Sequence, residues 1–251
     1  MLAALLGFAS VPGFARAESR SFEIRDAKTQ ELYFKAFDTW RKTGSELTRE
    51  TLYFDLQNHQ TNHEWTRYNP QSLLLSAFHF EDSADGNEAH IERKDATLTV
   101  SWRQGLKGQT ARAALDFRPD MIPSSLVEAR IQQGWAQLLA GQPLNIELIV
   151  PQRQSTYAFE IVPRARQQIE GEERLLLSAQ PRNILLRLLA PRLEFQYSVA
   201  TGTLRSFTGP SPTRIRGEEQ RPLTLVYPRQ ETAQLQPTEG SKMGSQAHAA
   251  D

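Results

Sequence analysis

The chain has 251 residues, with 29 basic and 29 acidic side chains, no cysteine and 39% hydrophobic residues. Zero formal charge provides no general attraction for nucleic acid or an anionic membrane, since phosphate binding rests on clustered Lys and Arg. The absence of cysteine excludes disulfides, thiolate metal sites, a cysteine nucleophile and any lipid joined through a thiol.

Residues 1–14 form an apolar run followed by Ala15-Arg16-Ala17, a small-x-small pattern that reads as a signal peptide cut after Ala17. The run is shorter than the roughly 20 apolar residues a spanning helix needs, and no later stretch comes closer. No Lys or Arg stands near its start, which leaves open an upstream start or a plain apolar N-terminal helix. The expectation is an exported, soluble, periplasmic protein with one β-rich domain over residues 18–228. Residues 229–251 carry almost no large apolar side chain, so a disordered tail is expected there.

Between the termini, side chains alternate with period two, which puts successive residues on opposite faces of a sheet. Strands are expected near residues 21–28, 31–41, 46–56, 61–68, 73–81 and 88–94. Leu98, Val100 and Trp102 then share one face while Thr97, Thr99 and Ser101 take the other, and Ala113, Leu115 and Phe117 repeat the pattern. Later strands are expected near 144–150, around Tyr157, Phe159 and Ile161, near 173–179, at Leu193, Phe195, Tyr197 and Val199, and near 203–208 and 223–227. Asp85-Gly86, Thr201-Gly202, Gly44, Gly105 and Gly108 separate these runs, as turns do.

Residues 125–141 break the rhythm. Val127, Ile131, Trp135, Leu138 and Leu139 recur at spacings of three and four, which predicts one amphipathic helix. Ser125 and Glu128 have capping-box spacing, and Gly141 stands where a left-handed C-terminal cap belongs. Residues 183–191 (NILLRLLAP) read as a buried strand or one helical turn, with Arg187 either keeping its head in water or pairing with a buried acid. The fold class is therefore mainly β: a strongly curved antiparallel meander, or half-barrel, clasping one amphipathic helix.

Chemistry-bearing motifs are sparse. His59 and His63 share one side of a strand or helix, with His79 and His90 further on, but zinc takes three or four ligands. His63-Glu64-Trp65-Thr66-Arg67 begins like a helical metalloprotease motif and has Arg67 where the second histidine is required. The Glu81 to Gly86 stretch has calcium-loop composition without its ligand spacing, and reads as a hairpin turn. No nucleophile elbow, phosphate-cradling glycine loop or dinucleotide fingerprint occurs. Neither metal nor cofactor is expected. Arg164, Arg166, Arg182, Arg187, Arg192, Arg205, Arg214 and Arg216 gather in the C-terminal half, as a solvated strand face or a weak surface for anionic headgroups.

The helix end Trp135-Ala136-Gln137-Leu138-Leu139-Ala140-Gly141, the strand end Ile149-Val150-Pro151, and Phe195-Gln196-Tyr197 through Thr201-Gly202-Thr203-Leu204 to Phe207-Thr208-Gly209 carry a resemblance. Over residues 30–228 the chain resembles an uncharacterised family of proteobacterial periplasmic proteins, with Pro212 where that pattern has asparagine. More distantly, the meander around one helix looks like the half-barrel of LolA-like lipoprotein carriers. That resemblance implies an apolar cavity between sheet and helix, lined by Leu98, Val100, Trp102, Phe117, Ile131, Trp135, Phe195 and Tyr197, which would serve equally as a plain core. The function it implies is non-catalytic: binding a lipid or other apolar ligand, or acting as a cell-envelope accessory, with no nucleic-acid partner. The competing expectation is an envelope hydrolase with an unrecognised site.

Overall fold

A computed structural model describes residues 19–189, 193–210 and 222–228. The expected signal peptide, the expected tail, Arg192, Pro212, Arg214 and Arg216 lie outside the described residues. In chain order the strands are β1 (Ser19–Asp26), β2 (Leu32–Thr43), β3 (Glu46–Phe54), β4 (Gln60–Tyr68), β5 (Leu75–Asp82), β6 (Asn87–Lys94), β7 (Thr97–Arg103) and β8 (Thr110–Asp116). After them come β9 (Met121–Ile122), β10 (Leu144–Val150), β11 (Ser155–Ile169), β12 (Glu172–Pro181), β13 (Leu193–Ser198), β14 (Leu204–Pro210) and β15 (Pro222–Val226).

All fifteen belong to one sheet that is not closed into a barrel. The chain meanders outward from β1 to β8, crosses to the far end at β9, and meanders back until β15 pairs antiparallel with β1. Each half is built from neighbours in sequence, as short hairpin connections require. The two-residue β9 pairs parallel with β10, so the sheet is mixed, though antiparallel pairing dominates. Among the described residues no helix is long and apolar enough to cross a membrane.

Register shifts interrupt the ladders at Ile24/Arg25, Tyr53/Phe54, Arg67/Tyr68, Pro163/Ala165 and Gln196/Tyr197. Such bulges bend the bulged strand and increase its twist. The sheet curls accordingly, and the 3-10 turn Pro151–Arg153, which follows β10 at one end, rests against β6 and β7 near the other. Apolar side chains of both halves, Leu98 and Val100 of β7 with Leu177 of β12 and Phe195 of β13, join a single core inside the curl. The tip of the β5–β6 hairpin shows how tightly it is made. Asp82 Oδ1 accepts the Ala84 and Asp85 amides, and a Cβ on Gly86 would lie 2.5 Å from Leu106 Cγ.

The segment read as one helix is a 3-10 turn (Ser124–Leu126) followed by α1 (Val127–Gln133) and α2 (Trp135–Leu139), broken at Gly134. The break sits where the segment crosses the start of β10: a Cβ on Gly134 would lie 2.9 Å from Leu144 Cδ2. Leu126, Ile131 and Leu138 are fully buried beneath the segment, whereas Trp135 is half-buried with its ring 5.5 Å from that of Tyr197. At the far end Gly141 adopts φ +80°. Its amide reaches Leu138 O, and the Gln142 amide reaches Gln137 O, as in the expected left-handed cap. The expected capping box does not form. The Ser125 hydroxyl lies 2.6 Å from Thr66 Oγ1 on β4, and the Glu128 carboxylate turns to Arg20 on β1.

Residues Ile184–Leu189 form a single helical stretch, α3, between β12 and β13. It is not a buried segment: Ile184, Leu185 and Leu188 stand 71%, 69% and 80% exposed.

Candidate functional site

All eight residues expected to line the interior lie in or against the one core. Leu98, Val100, Ile131, Phe195 and Tyr197 are buried members, and Trp102, Phe117 and Trp135 pack partly buried around them. Alternation explains their gathering. Trp102, Val100 and Leu98 pair across β7–β8 with Ala111, Ala113 and Leu115, so the same phase of each strand points inward. Across the curl, Phe195 and Tyr197 pair with Leu177 and Leu175 of β12.

Within this apolar wall lies a polar island that the sequence reading did not anticipate. A row of directly paired inward positions runs Arg20 (β1), Asp38 (β2), Thr51 (β3) and Glu64 (β4). Asp38, with 0% exposure, is held by three donors. Arg20 Nη2 is 2.8 Å from its Oδ2, Arg49 Nη2 is 2.9 Å from the same atom, and Thr51 Oγ1 donates to Oδ1 at 2.7 Å. Glu128 of α1 completes the cluster, accepting from Arg20 Nη1 at 2.7 Å and Nη2 at 2.8 Å. Arg49 Nη1 donates to the Ser125 carbonyl at 2.9 Å, so both arginines tie the helix entry to the sheet. Their guanidinium planes also meet aromatic rings: Arg20 lies 4.2 Å from the Tyr227 ring centre, and both arginines approach Trp40.

Two cations and two carboxylates balance one another. Burial alone would push the Asp38 carboxyl up, but the Arg49 and Arg20 guanidiniums outweigh it and hold Asp38 below the ordinary carboxylate range. Arg20 is likewise raised: burial opposes its charge, and the Glu128 hydrogen bond and charge prevail.

Glu64 behaves differently. It is 8% exposed, and its carboxyl makes no hydrogen bond or ion pair among the described residues. Burial pushes it up to about 7, with attraction to Arg49 pulling down and repulsion from Asp38 pushing up. Two positions earlier on the same inward phase, Asn62 Nδ2 is buried with no partner, and the Tyr197 hydroxyl across the curl is also unpartnered. Buried polar atoms are nearly always satisfied, so Asn62 Nδ2 and the Tyr197 hydroxyl, like Arg20 Nε in the island and Arg174 Nε on β12, are exceptions among the described residues. The signal was present in the sequence: Arg20 precedes Phe22 and Ile24, Asp38 follows Phe34 and Ala36, and Glu64 precedes Thr66 and Tyr68, each a polar side chain on the dry phase of its strand.

Apolar walls with a few placed polar atoms are the composition from which small-molecule sites are built. The arrangement does not pair Asp38 with Glu64 as acid and base, because Asp38 is inaccessible and saturated by its three donors.

The four described histidines, three on strand faces and one in a turn, lie apart from this island. His59 sits in the β3–β4 turn, 3.2 Å from Asp55 Oδ2, and His63 Nε2 is 2.9 Å from Glu50 Oε1. His79 stacks on Trp65 and neighbours His63 and His90, on the face opposite Glu64. Among the described residues no group of three or more His, Asp or Glu is placed to hold a metal ion. His63 to Arg67 belongs to strand β4, so the metalloprotease spacing has no helix to act on. The C-terminal arginines take different partners: Arg205 grips Glu172, Arg187 pairs with Glu160, Arg164 bonds Ser178 and Gln180, and Arg166 reaches the Leu139 carbonyl.

No protein-family model, curated protein or solved structure matches this chain.

Proposed function

We infer that this protein is a non-catalytic binder of an amphiphilic or apolar small molecule, such as a lipid, held on the concave face between the sheet and the α1–α2 segment. The observation that carries the reading is the pair of unpartnered polar atoms on the apolar inner wall, Asn62 Nδ2 and the Tyr197 hydroxyl, with the nearly buried Glu64 carboxyl two positions from Asn62 on the same phase of β4. A ligand head with a donor and an acceptor satisfies Glu64 and Asn62 together, while its apolar part lies against the partly buried Trp102 and Phe117. A periplasmic setting belongs to the same proposal. It rests on residues 1–17 and on the resemblance to periplasmic proteins, and N-terminal mass spectrometry of protein isolated from cells tests it.

The binding test uses the full chain, stripped of bound lipid by organic extraction of the unfolded protein and refolding. Titration with the apolar fluorophore N-phenyl-1-naphthylamine is expected to give saturable enhancement that a long-chain fatty acid or amine displaces. Ala113→Trp, which adds bulk opposite Val100 on the inner wall of β7–β8, is expected to weaken uptake by tenfold or more while the fold persists by circular dichroism. A linear, non-saturating response of the wild type would overturn the reading.

A further inference from the structure

The helix α3 is preformed and fixed in place, although its apolar side chains face outward. Asn183 Oδ1 accepts the Leu185 amide at 2.9 Å and the Leu186 amide at 3.3 Å, capping the N-terminal end. Arg187, the one charged residue of the helix, turns back to the body of the protein. Its Nε donates to the Pro181 carbonyl at 3.1 Å and its Nη2 to Glu160 Oε1 at 3.0 Å. Gln180 Nε2 shares that Glu160 oxygen, and Arg164 Nη2 bonds Gln180 Oε1, so the clamp continues into the outer face of β11 and β12. The cap and the clamp together keep the helix from rolling its leucines inward.

The outward side is aliphatic over a wide arc. At about 100° per residue, Ile184 and Leu188 project nearly together, Leu185 projects a quarter-turn away, and Leu186, 37% exposed, extends the arc further. A protein groove covers one stripe of a helix, as in helix-in-groove recognition. Acyl chains surround a protruding wedge on every side, so an aliphatic surface this wide and convex suits a lipid phase. Soluble proteins rarely leave such a cluster in water without a partner. The charges beside it agree in sign. Arg182, immediately before Asn183, is exposed and has no carboxylate within 4.0 Å among the described residues. Among the described residues, Arg164 bonds neutral groups only, Glu160 is used by Arg187, and Glu194 stands on β13 opposite Ser178. Among the described residues the excess is positive and small, so apolar insertion is the main contribution and attraction to anionic headgroups the lesser one.

We propose that α3 is a membrane-docking element: Ile184, Leu185 and Leu188 insert among the acyl chains at the surface of a phospholipid bilayer, and Arg182 meets the headgroups. The site is separate from the concave face, and the proposal stands whether or not that face takes a ligand.

Flotation of the full chain with large unilamellar vesicles tests it, using phosphatidylcholine alone and phosphatidylcholine with one quarter phosphatidylglycerol. The wild type is expected to float with both, about fivefold better with the anionic lipid, as one cation near the headgroups implies. Arg182→Gln is expected to lose that preference and keep the rest. Leu185→Ser/Leu188→Ser should lower partition by about a hundredfold, roughly tenfold for each leucine removed from lipid. Its melting temperature should not change, since both side chains already face water. Leu56→Ser, an exposed leucine in the β3–β4 turn, controls for general hydrophobicity and should bind as wild type. Three outcomes would overturn the proposal: a wild type that stays with the aqueous fraction, a double variant that floats as well as wild type, or a wild-type dimer in solution that the double variant abolishes, which would assign α3 to contact with a second copy.

Discussion

Glu64→Gln is the sharpest perturbation of the polar island, because the amide keeps the shape of the side chain and imitates its protonated form. In the folded protein the carboxyl titrates near 7 instead of the ordinary 4.5, chiefly because it is buried. A folded-state value raised above the unfolded one means that the folded protein holds the extra proton between those two values. Stability therefore falls as pH rises from 4.5 to about 7 and is level beyond. The difference corresponds to about 3 kcal/mol of cost for ionising Glu64 in place. The Gln variant does not bear that cost, so at pH 8 it should exceed the wild type by about 3 kcal/mol, and near pH 4.5 the two should agree within about 0.5 kcal/mol. Urea unfolding of both proteins across pH 4.5 to 8 measures the gap, and other titrating groups cancel in the difference. A Gln variant less stable than wild type at pH 8 would refute the reasoning, because it would mean that Glu64 is ionised and productively paired with Arg49. If an amine-bearing ligand occupies the site, its addition should close the gap by stabilising the wild type alone.

Asp38→Asn should lose about 3 to 5 kcal/mol, since it leaves Arg20 and Arg49 buried against a neutral group. Because Asp38 is held below the ordinary range, its contribution is complete above pH 3.8 and disappears as the pH falls through its folded value, so the acid limb of the unfolding profile should flatten in this variant. Gly134→Ala gains about 1 kcal/mol of helix propensity yet should be net destabilising by about 1 kcal/mol, because the new methyl meets Leu144. Leu144→Ala in the same chain should remove the penalty in a double-mutant cycle. Leu138→Ala should cost about 3 kcal/mol and Trp135→Ala about 2 kcal/mol, the order following full against partial burial. Thermal or urea melts that reversed this order would place Trp135 deeper than the fold does.

Strand positions were legible because period-two alternation is a local property of each segment, and Leu193, Phe195 and Tyr197 show it as plainly in the sequence as in the sheet. Features governed by contacts distant in sequence were not. The two-residue β9 has no room for a pattern, and its parallel pairing with β10 comes from the crossover between the two ends of the sheet. Gly134 in the sequence is a tolerated helical glycine, and only the approach of Leu144 turns it into a break. Ser125 and Glu128 have the spacing of a cap, but Thr66, 59 residues away, and Arg20, 108 residues away, recruit both side chains. The apolar run at residues 184–188 reads as interior by composition, because hydrophobicity reports affinity for an apolar surrounding and does not say whether protein or lipid provides it.

The same distinction separates the two halves of the candidate site. A buried charge is tolerated when its partners arrive with it, and Arg20, Asp38, Arg49 and Glu128 meet that condition from four separate elements, β1, β2, β3 and α1. The cluster therefore specifies how the helical segment seats on the sheet: exchanging any member for an apolar residue leaves an opposite charge stranded. On the adjacent strand, Asn62 keeps a buried amide nitrogen with no partner, and the nearly buried Glu64 carboxyl makes no ion pair among the described residues. Under the proposed function, a bound ligand supplies the hydrogen bond that packing leaves open at Asn62. By that argument Asn62→Leu should raise stability in the absence of ligand and weaken binding of any molecule whose acceptor group the Asn62 amide was holding.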